Sequence, residues 1–360
     1  LANHPEVRKA DAEASQNWGL AYPMGARMMS GDTKEHRKLE HDLASFVGKE
    51  AGYLLNFGYQ GIMSAIDSLL TRHDVVVYDA ESHACIVDAM RMHAGHRFAF
   101  LHNDVASLEK HLVSAKRLVE KTGGGILVIT EGVFGMRGDQ GKLREIVQLK
   151  KEYNFRLLID DAHGFGMLGK RGAGAADEQG VEDEIDLYFS TFAKSMALIG
   201  AFIAGPKEII RFLRFNMRSQ IYAKSLPMPL VIGLQKRLEL LKSETHLREK
   251  LWSNVHKLQG GLRERGFNLG DTNTCVTPVY LNGTTEEAMA LVNDLRENHG
   301  IFCSMVVYPV IPKGMIILRL IPTADHTDAD IAQTLDAFVA VGKKLTDGTY
   351  KQWIPEKIAG

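Results

Sequence analysis

The chain has 360 residues and a formal net charge of −1, with 45% hydrophobic and 24% charged residues. This balance is ordinary for a globular enzyme, and it leaves no basic excess for displacing counterions from nucleic acid, so we expect no nucleic-acid partner. The length suggests about two domains. The longest strongly apolar stretch, residues 196–205, is far shorter than the ~18 residues of a membrane span, so we expect at most peripheral membrane contact.

The cysteines are few and widely spaced: Cys85, Cys275 and Cys303 include no C-x-x-C pair. This pattern predicts a reducing, cytoplasmic setting and no structural zinc. No signal peptide is recognisable, and we expect that a natural N-terminal segment precedes Leu1.

In chain order, the first clearly marked element is a helix that Asp32 and Glu35 open as a capping pattern and that runs to about Val47. Short apolar runs then alternate with amphipathic segments of helical period. This alternation predicts an α/β fold with a mostly parallel sheet that is covered on both faces. The runs are AGYLLNF, DVVVYDA, RFAFLHN, GGILVIT, RLLIDD, DLYFST and AFIAG.

After about Glu244 the pattern changes. A long amphipathic segment leads to the run CVTPVYL, and a Thr284-x-x-Glu287 box opens a helix that two strand-like runs and a final helix follow. These elements predict a smaller α+β domain. We therefore expect an N-terminal segment (1–30), a large domain (31–245), a small C-terminal domain (246–345) and a tail (346–360).

The run RLLIDD ends in Asp160 and Asp161, which His163 and a glycine-rich loop follow. Strand ends carry chemistry in α/β enzymes, so the junction could serve a metal, a nucleotide phosphate or a cationic organic cofactor. The sequence of the loop GFGMLGKR is similar to that of a phosphate-binding loop, but Arg171 stands where Ser or Thr would hold magnesium. A metal site would lack a clear fourth ligand. No G-x-S-x-G motif is present, which disfavours an α/β-hydrolase.

Lys194, in STFAKS, follows the next strand-like run. A lysine beside a strand-end aspartate fits pyridoxal phosphate (PLP), because lysine forms the Schiff base and a carboxylate partners the pyridinium nitrogen. Gly58 and Tyr59 would open a helix directly after a strand, where main-chain amides bind phosphate. His83 lies at another strand-to-helix junction, where its ring could lie over a flat cofactor.

Together with the segments GARMMSGDTKEHRKLE, YPVIPKG and LRLIPTADHT, these motifs resemble those of the α-oxoamine synthases. The resemblance runs over nearly the whole chain. It implies the fold of type I PLP-dependent transferases, which is that of aspartate aminotransferase. It also implies an acyltransferase that condenses an amino acid with an acyl thioester and releases CO₂, and a homodimer with shared active sites.

The resemblance assigns a role to each candidate residue. Lys194 would form the Schiff base and act as the catalytic base, and Asp160 would partner the pyridinium nitrogen. His163 would hydrogen-bond the phenolic oxygen of the ring, and His83 would stack on the ring face. Arg319 would bind the substrate carboxylate, which suits a bidentate guanidinium. The phosphate would be held by Gly58, Tyr59 and Thr191, and by Ser225 of the neighbouring subunit.

Within the family, the chain looks most similar to bacterial serine palmitoyltransferases, through stretches such as GVEDEIDLYFSTFAKS and FLRFNMRSQIYAKS. This predicts serine and a long acyl chain, carried by CoA or acyl carrier protein, in sphingoid-type lipid base synthesis. The alternatives are a glycine C-acetyltransferase (2-amino-3-ketobutyrate CoA ligase) and a long-chain acyltransferase for another amino acid, such as cysteate. A PLP aminotransferase and a catalytically silent subunit are alternatives of a different class.

Two departures from the family concern the substrate. Gly135 stands where the family usually has a serine that hydrogen-bonds the phenolic oxygen of the cofactor, and Ala201 replaces the second glycine of a common pair. Gly135 opens space beside the substrate, and Arg137 adds a positive charge nearby. We therefore expect a small polar or acidic amino acid. Met28 and Met29 are candidates for part of an acyl-chain groove, since methionine offers an adaptable apolar surface.

Overall fold

The structure is a computed structural model that describes residues 1–308, 311 and 314–352. The chain forms two compact units. The first contains Leu1–Phe134 and Gln140–Glu244, and the second contains Gly135–Asp139 together with the chain from Thr245 onward. Part of the motif YPVIPKG and the end of the predicted tail lie outside the described residues.

A seven-stranded sheet with the order β1-β7-β6-β5-β4-β2-β3 forms the centre of the first unit. In this sheet, as far as the structure describes it, β7 runs against both of its neighbours and all other pairs are parallel. The expectation of a mostly parallel sheet is confirmed, and each apolar run of the sequence supplies one strand. The strands are β1 (Ala51–Leu55), β2 (Val75–Asp79), β3 (His96–Phe100), β4 (Ile126–Glu131), β5 (Arg156–Asp160), β6 (Leu187–Thr191) and β7 (Ala201–Gly205).

Helices connect these strands and cover the sheet, because parallel neighbours need crossover connections that return the chain to the same edge. The α-helices are α1 (Pro5–Trp18), α2 (Lys34–Phe46), α3 (Gly58–Leu69), α4 (Ala84–Met92), α5 (Val105–Thr122), α6 (Leu143–Tyr153), α7 (Ala175–Gln179), α8 (Lys207–Asn216), α9 (Arg218–Ile221) and α10 (Met228–Ser243). A single 3₁₀ turn, Glu182–Glu184, precedes β6 in the described first unit.

The predicted start of α2 is wrong by one residue. Thr33, not Asp32, is the N-cap, and its hydroxyl accepts the main-chain N–H of His36. Asp32 is occupied elsewhere, because its carboxylate binds the guanidinium groups of Arg27 and Arg37. Asp32 therefore forms ion pairs with residues before and after the cap, and it does not cap the helix as the sequence pattern indicated.

The second unit contains a three-stranded antiparallel sheet with the order β8-β10-β9. The predicted capping box is present, since Thr284 accepts the N–H of Glu287 and the Glu287 carboxylate accepts the N–H of Thr284. The elements are α11 (Thr245–Glu264), β8 (Thr277–Asn282), α12 (Thr285–His299), β9 (Ser304–Val306), β10 (Met315–Leu320), α13 (Asp328–Thr346) and a 3₁₀ turn (Thr349–Gln352).

Parallel strands bring their carboxyl ends to one edge of the first unit's sheet. Asp79, Glu131, Asp160 and Thr191 end β2, β4, β5 and β6 respectively. The polar ends of these otherwise apolar strands mark the edge of the sheet where a functional site is expected.

Among the described helices, none is long and apolar enough to cross a membrane.

Candidate active site

Asp160 is 5% exposed at the end of β5. Its Oδ1 accepts the main-chain N–H of Ala162 at 3.0 Å, and no hydrogen bond from the described residues reaches its Oδ2. Burial raises the pKa of Asp160 to about 6, against the opposing effects of the Ala162 N–H and of the Lys194 charge. The Lys194 charge and the Ala162 N–H favour the ionised carboxylate, which has one oxygen available to a cationic partner.

Lys194 is an exposed residue in the turn that follows β6. Its positive charge opposes the rise in the pKa of Asp160. The pKa of His83 is lowered by burial first and by the Lys194 charge second. Because Lys194 acts electrostatically on both side chains, the fold brings these three predicted site residues from three different strand ends into one cluster.

His83 is the N-cap of α4, and its imidazole Nδ1 accepts the main-chain N–H of Cys85 at 3.3 Å. Its own main-chain N–H donates to Oε1 of Glu131 at 2.5 Å. The Tyr59 ring meets the His83 ring edge-on, with 6.2 Å between the ring centroids. His83 is thus held from both its ring and its main chain.

The start of α3 is a candidate anion-binding site. The helix begins at Gly58, and its N-cap, Phe57, supplies no capping side chain, so the first amides of the helix are not capped from within. Gly58 also packs closely on Thr191, since a Cβ at position 58 would lie 3.1 Å from both Cβ and Oγ1 of Thr191. The predicted phosphate-binding groups Gly58, Tyr59 and Thr191 therefore lie side by side.

The remaining predicted residues have the following places. His163 is half-buried in the loop after β5. Ser225 is buried against its own chain, where its hydroxyl donates to the carbonyl oxygen of Gly25, and its reach to a neighbouring subunit stays a prediction. Arg319 lies on β10 of the second unit and donates to Oγ of Ser304 and to the carbonyl oxygen of Gly135. Burial lowers the pKa of Arg319.

The glycine-rich loop after Asp161 does not offer its amides to a phosphate. The N–H of Gly169 donates to Glu178, and the N–H of Arg171 donates to Asp177. These carboxylates place negative charge where a nucleotide phosphate would have to bind. Within the described part of the chain, no group of three or more His, Cys, Asp and Glu side chains is arranged to hold a metal ion.

Glu131 is a site residue that the sequence analysis missed. It ends β4 directly beside Asp160, with which it is in register, and it is 6% exposed. The signal was present, because the run GGILVIT is followed by Glu131 just as RLLI is followed by Asp160. A search for every acidic residue at a strand end would have found it.

Comparison with known proteins assigns the chain to a family. The sequence model of the family "Aminotransferase class I and II" matches residues 1–338. The chain belongs to this aminotransferase family. It is 64% identical to the cysteate-C-fatty acyltransferase of Capnocytophaga ochracea, over 98% of this chain and 84% of that protein. It is 32% identical to the serine palmitoyltransferase of Bacteriovorax stolpii, over 96% of this chain and 81% of that protein.

A solved structure supports this assignment to the class I and II aminotransferase family. A variant of serine palmitoyltransferase from S. paucimobilis, with bound PLP–myriocin aldimine, superposes with a TM-score of 0.89. The two chains are 31% identical, and the match covers 96% of this chain and 85% of that chain. The predicted type I PLP-transferase fold and the resemblance to the α-oxoamine synthases are confirmed.

The residues present fit the PLP cofactor of this aminotransferase family. Asp160 has one carboxylate oxygen without a hydrogen bond from the described residues, which suits a protonated ring nitrogen. A Cβ at position 58 would lie 3.1 Å from Thr191, a tight contact, and the glycine leaves the first amides of α3 without a side chain of their own beside a phosphate. Lys194 is exposed and close enough to Asp160 and His83 to affect both pKa values.

Proposed function

We propose that this protein is a PLP-dependent acyltransferase that condenses an amino acid with an acyl thioester, releases CO₂ and forms a 3-keto amine. The observation that carries the proposal is the clustering of Lys194, Asp160 and His83 at one edge of the sheet. The homology described above supports the same chemistry.

The residues of the cluster have complementary tasks. PLP, when bound, supplies an electron sink for the bond that breaks at the amino acid Cα. The Lys194 amine would hold the cofactor and, once released, accept the Cα proton of the substrate. The Asp160 carboxylate would keep the ring nitrogen protonated, and His163 would hydrogen-bond the phenolic oxygen. His83 would lie on the ring face.

Binding of the charged groups falls to other residues. The amides of Gly58 and Tyr59 and the hydroxyl of Thr191 would hold the phosphate, because N–H groups at a helix start carry a partial positive charge. Ser225 would add a contact from the neighbouring subunit of a homodimer. In the second unit, Arg319 would bind the substrate carboxylate.

Cysteate is the amino acid that we propose first. A relative twice as similar as the serine palmitoyltransferase is named for cysteate. The turn that carries Gly135 and Arg137 belongs to the second unit, where Arg319 Nη1 donates to the Gly135 oxygen at 2.9 Å. At its other end, Thr274 donates to the Gly138 oxygen at 2.8 Å. Arg137, two residues after Gly135 in this turn, would add a second guanidinium, which suits a substrate with two negative groups. Serine, glycine and alanine come after cysteate.

A long acyl thioester, on CoA or acyl carrier protein, is the proposed second substrate. Met28 and Met29 are 49% and 84% exposed, and they offer apolar surface in the loop that Ser225 holds at Gly25. Further exposed apolar residues of the first unit, Leu20, Met24 and Tyr222, are consistent with coverage by a second copy of the chain. The cytoplasm is the proposed location.

The test is a panel of amino acids and acyl thioesters. Purified enzyme loaded with PLP is given cysteate, serine, glycine or alanine with acetyl to palmitoyl donors, and CO₂ and the condensed product are measured. We expect the highest kcat/KM with cysteate and a long acyl donor. Formation of a keto acid without CO₂ would instead indicate an aminotransferase.

Borohydride reduction followed by peptide mapping tests the site independently. We expect the pyridoxyl group on Lys194 and no labelled peptide in Lys194→Ala. A label on Lys170 or Lys224, which flank the predicted site in sequence, would contradict the assignment.

A further inference from the structure

Glu131 has no part in the chemistry proposed above, yet it adjoins two residues of the cluster, Asp160 and His83. It is paired in register with Asp160 on the neighbouring parallel strand, and the two residues are 6% and 5% exposed. Neighbouring strands are about 4.8 Å apart, so two carboxyl groups share one buried strand-end site.

Glu131 also contacts the element that carries His83. Its Oε1 accepts the His83 main-chain N–H at 2.5 Å. His83 is the N-cap of α4, so this bond ties the start of the helix to the end of β4. Loss of the acceptor would leave the His83 N–H without this partner and would release the residue whose ring is proposed to lie on the cofactor.

The charges around Glu131 favour its neutral form. The carboxylates of Asp160 on β5 and, to a lesser extent, Asp79 on β2 both disfavour a further negative charge on Glu131. His102, beyond β3, favours the charge but is already paired with Asp79 at 3.1 Å. On α4, the Cys85 thiol is held protonated by burial, which raises its pKa. Lys194 acts on Asp160 and on His83.

We propose that Glu131 is a positioning residue that stays protonated, that fixes the main chain of His83, and that leaves the negative charge of the pair on Asp160. Two adjacent buried carboxyl groups cannot both ionise cheaply, so one of them keeps a proton. The Lys194 cation stabilises the charge on Asp160. Burial, first, and the charge of Asp160, second, raise the pKa of Glu131 well above its ordinary value.

The test compares Glu131→Gln with Glu131→Leu in the PLP-loaded enzyme, and Glu152→Gln, at an exposed glutamate of α6, is the matched control. Gln is neutral and keeps an oxygen acceptor for His83, so the PLP dissociation constant and kcat should change by less than about threefold. Leu has no acceptor, so both should worsen by about tenfold or more. Equal losses in Gln and Leu, or no loss in Leu, would overturn the proposal.

The kcat measurement rests on the proposed function, so a second measurement uses neither substrate nor turnover. Its result tests the role of Glu131 even if the proposed function is wrong. The free energy of unfolding of the wild type and of Glu131→Gln is measured against pH. Since folding raises the pKa of Glu131, the stability of the wild type relative to Gln should be greatest below the ordinary pKa of 4.5 and should fall as pH rises. If the stability of the wild type relative to Gln instead rises with pH, Glu131 is ionised in the folded protein. That result would overturn the proposal, even if the Leu variant fails to fold.

Discussion

Asp160 and Asp161 are adjacent in sequence and both buried, but their carboxyl groups have different surroundings. Asp160 lies within range of the Lys194 charge, and its Oδ1 accepts only the main-chain N–H of Ala162 among the described residues. Asp161 accepts the N–H of Ala175 at 2.8 Å and the hydroxyl of Tyr188 at 3.0 Å, both on Oδ2. Successive residues at a strand end point to opposite faces, and here one face holds the candidate site.

Substitution of the two aspartates should therefore have unequal effects on catalysis. Asp160→Asn removes the charge partner of the cofactor ring, and a charge partner of this kind shifts a pKa by about 1–3 units, so we expect kcat to fall roughly 10- to 1000-fold. Asp161→Asn should change kcat much less, once stability is accounted for. The measurement is kcat with the absorbance spectrum of bound PLP. Equal losses would contradict the different roles.

Asp161 should instead govern the pH dependence of stability. Burial raises its pKa from 3.8 to about 8, so the folded protein holds a proton that the unfolded chain releases. The stabilising contribution is complete below pH 3.8 and is lost as pH rises to about 8. Asp161→Asn should flatten the decrease in the free energy of unfolding over this interval, measured by urea titration at several pH values. An unchanged slope would show that Asp161 is ionised in the folded protein.

Gly58→Ala tests the phosphate site. The added Cβ would lie 3.1 Å from Thr191, so either Thr191 or the start of α3 must shift. We expect the PLP dissociation constant to rise about tenfold, the equivalent of one weakened hydrogen bond. Gly260→Ala is the control, because its Cβ meets nothing within 4 Å. Unchanged PLP affinity in Gly58→Ala would place the phosphate elsewhere.

The turn at Gly135–Asp139 should determine the choice of amino acid. Arg137→Met should lower kcat/KM for cysteate by about 10- to 100-fold, the worth of a charge-assisted hydrogen bond, and should leave serine little affected. Gly135→Ser should shift the ranking toward serine by filling space. Arg117→Met, at an exposed arginine on α5, is the control. An unchanged ranking in both variants would show that this turn does not select the amino acid.

The length of the acyl donor should set catalytic efficiency. Each buried methylene contributes about 0.8 kcal/mol, which is roughly a fourfold gain in binding. We expect kcat/KM to climb from acetyl to palmitoyl donors and to level off where the groove ends. Met29→Glu should reduce the gain per methylene if the loop at Met28 and Met29 lines the groove. Equal use of acetyl and palmitoyl donors would indicate a glycine C-acetyltransferase instead.

The sequence by itself was enough for the fold class and for one cap. Apolar runs of five to seven residues between amphipathic segments predicted all the strands of the first sheet, because buried parallel strands need apolar side chains on both faces. The Thr284 capping box was predicted because its partners lie three residues apart. Asp32 failed as a cap because its partner Arg27 competes through an ion pair that no local pattern reveals.

The candidate residues at strand ends could also be read from the sequence, since each polar residue follows an apolar run. Only the tertiary structure decided which of them interact. The order of the strands puts β4 beside β5, and this order, which depends on long-range packing, makes Glu131 the neighbour of Asp160. The same packing brings Lys194, His83 and Asp160 together from separate parts of the chain. Residue spacing fixes local structure, whereas burial and charge at a site depend on what other elements bring to it.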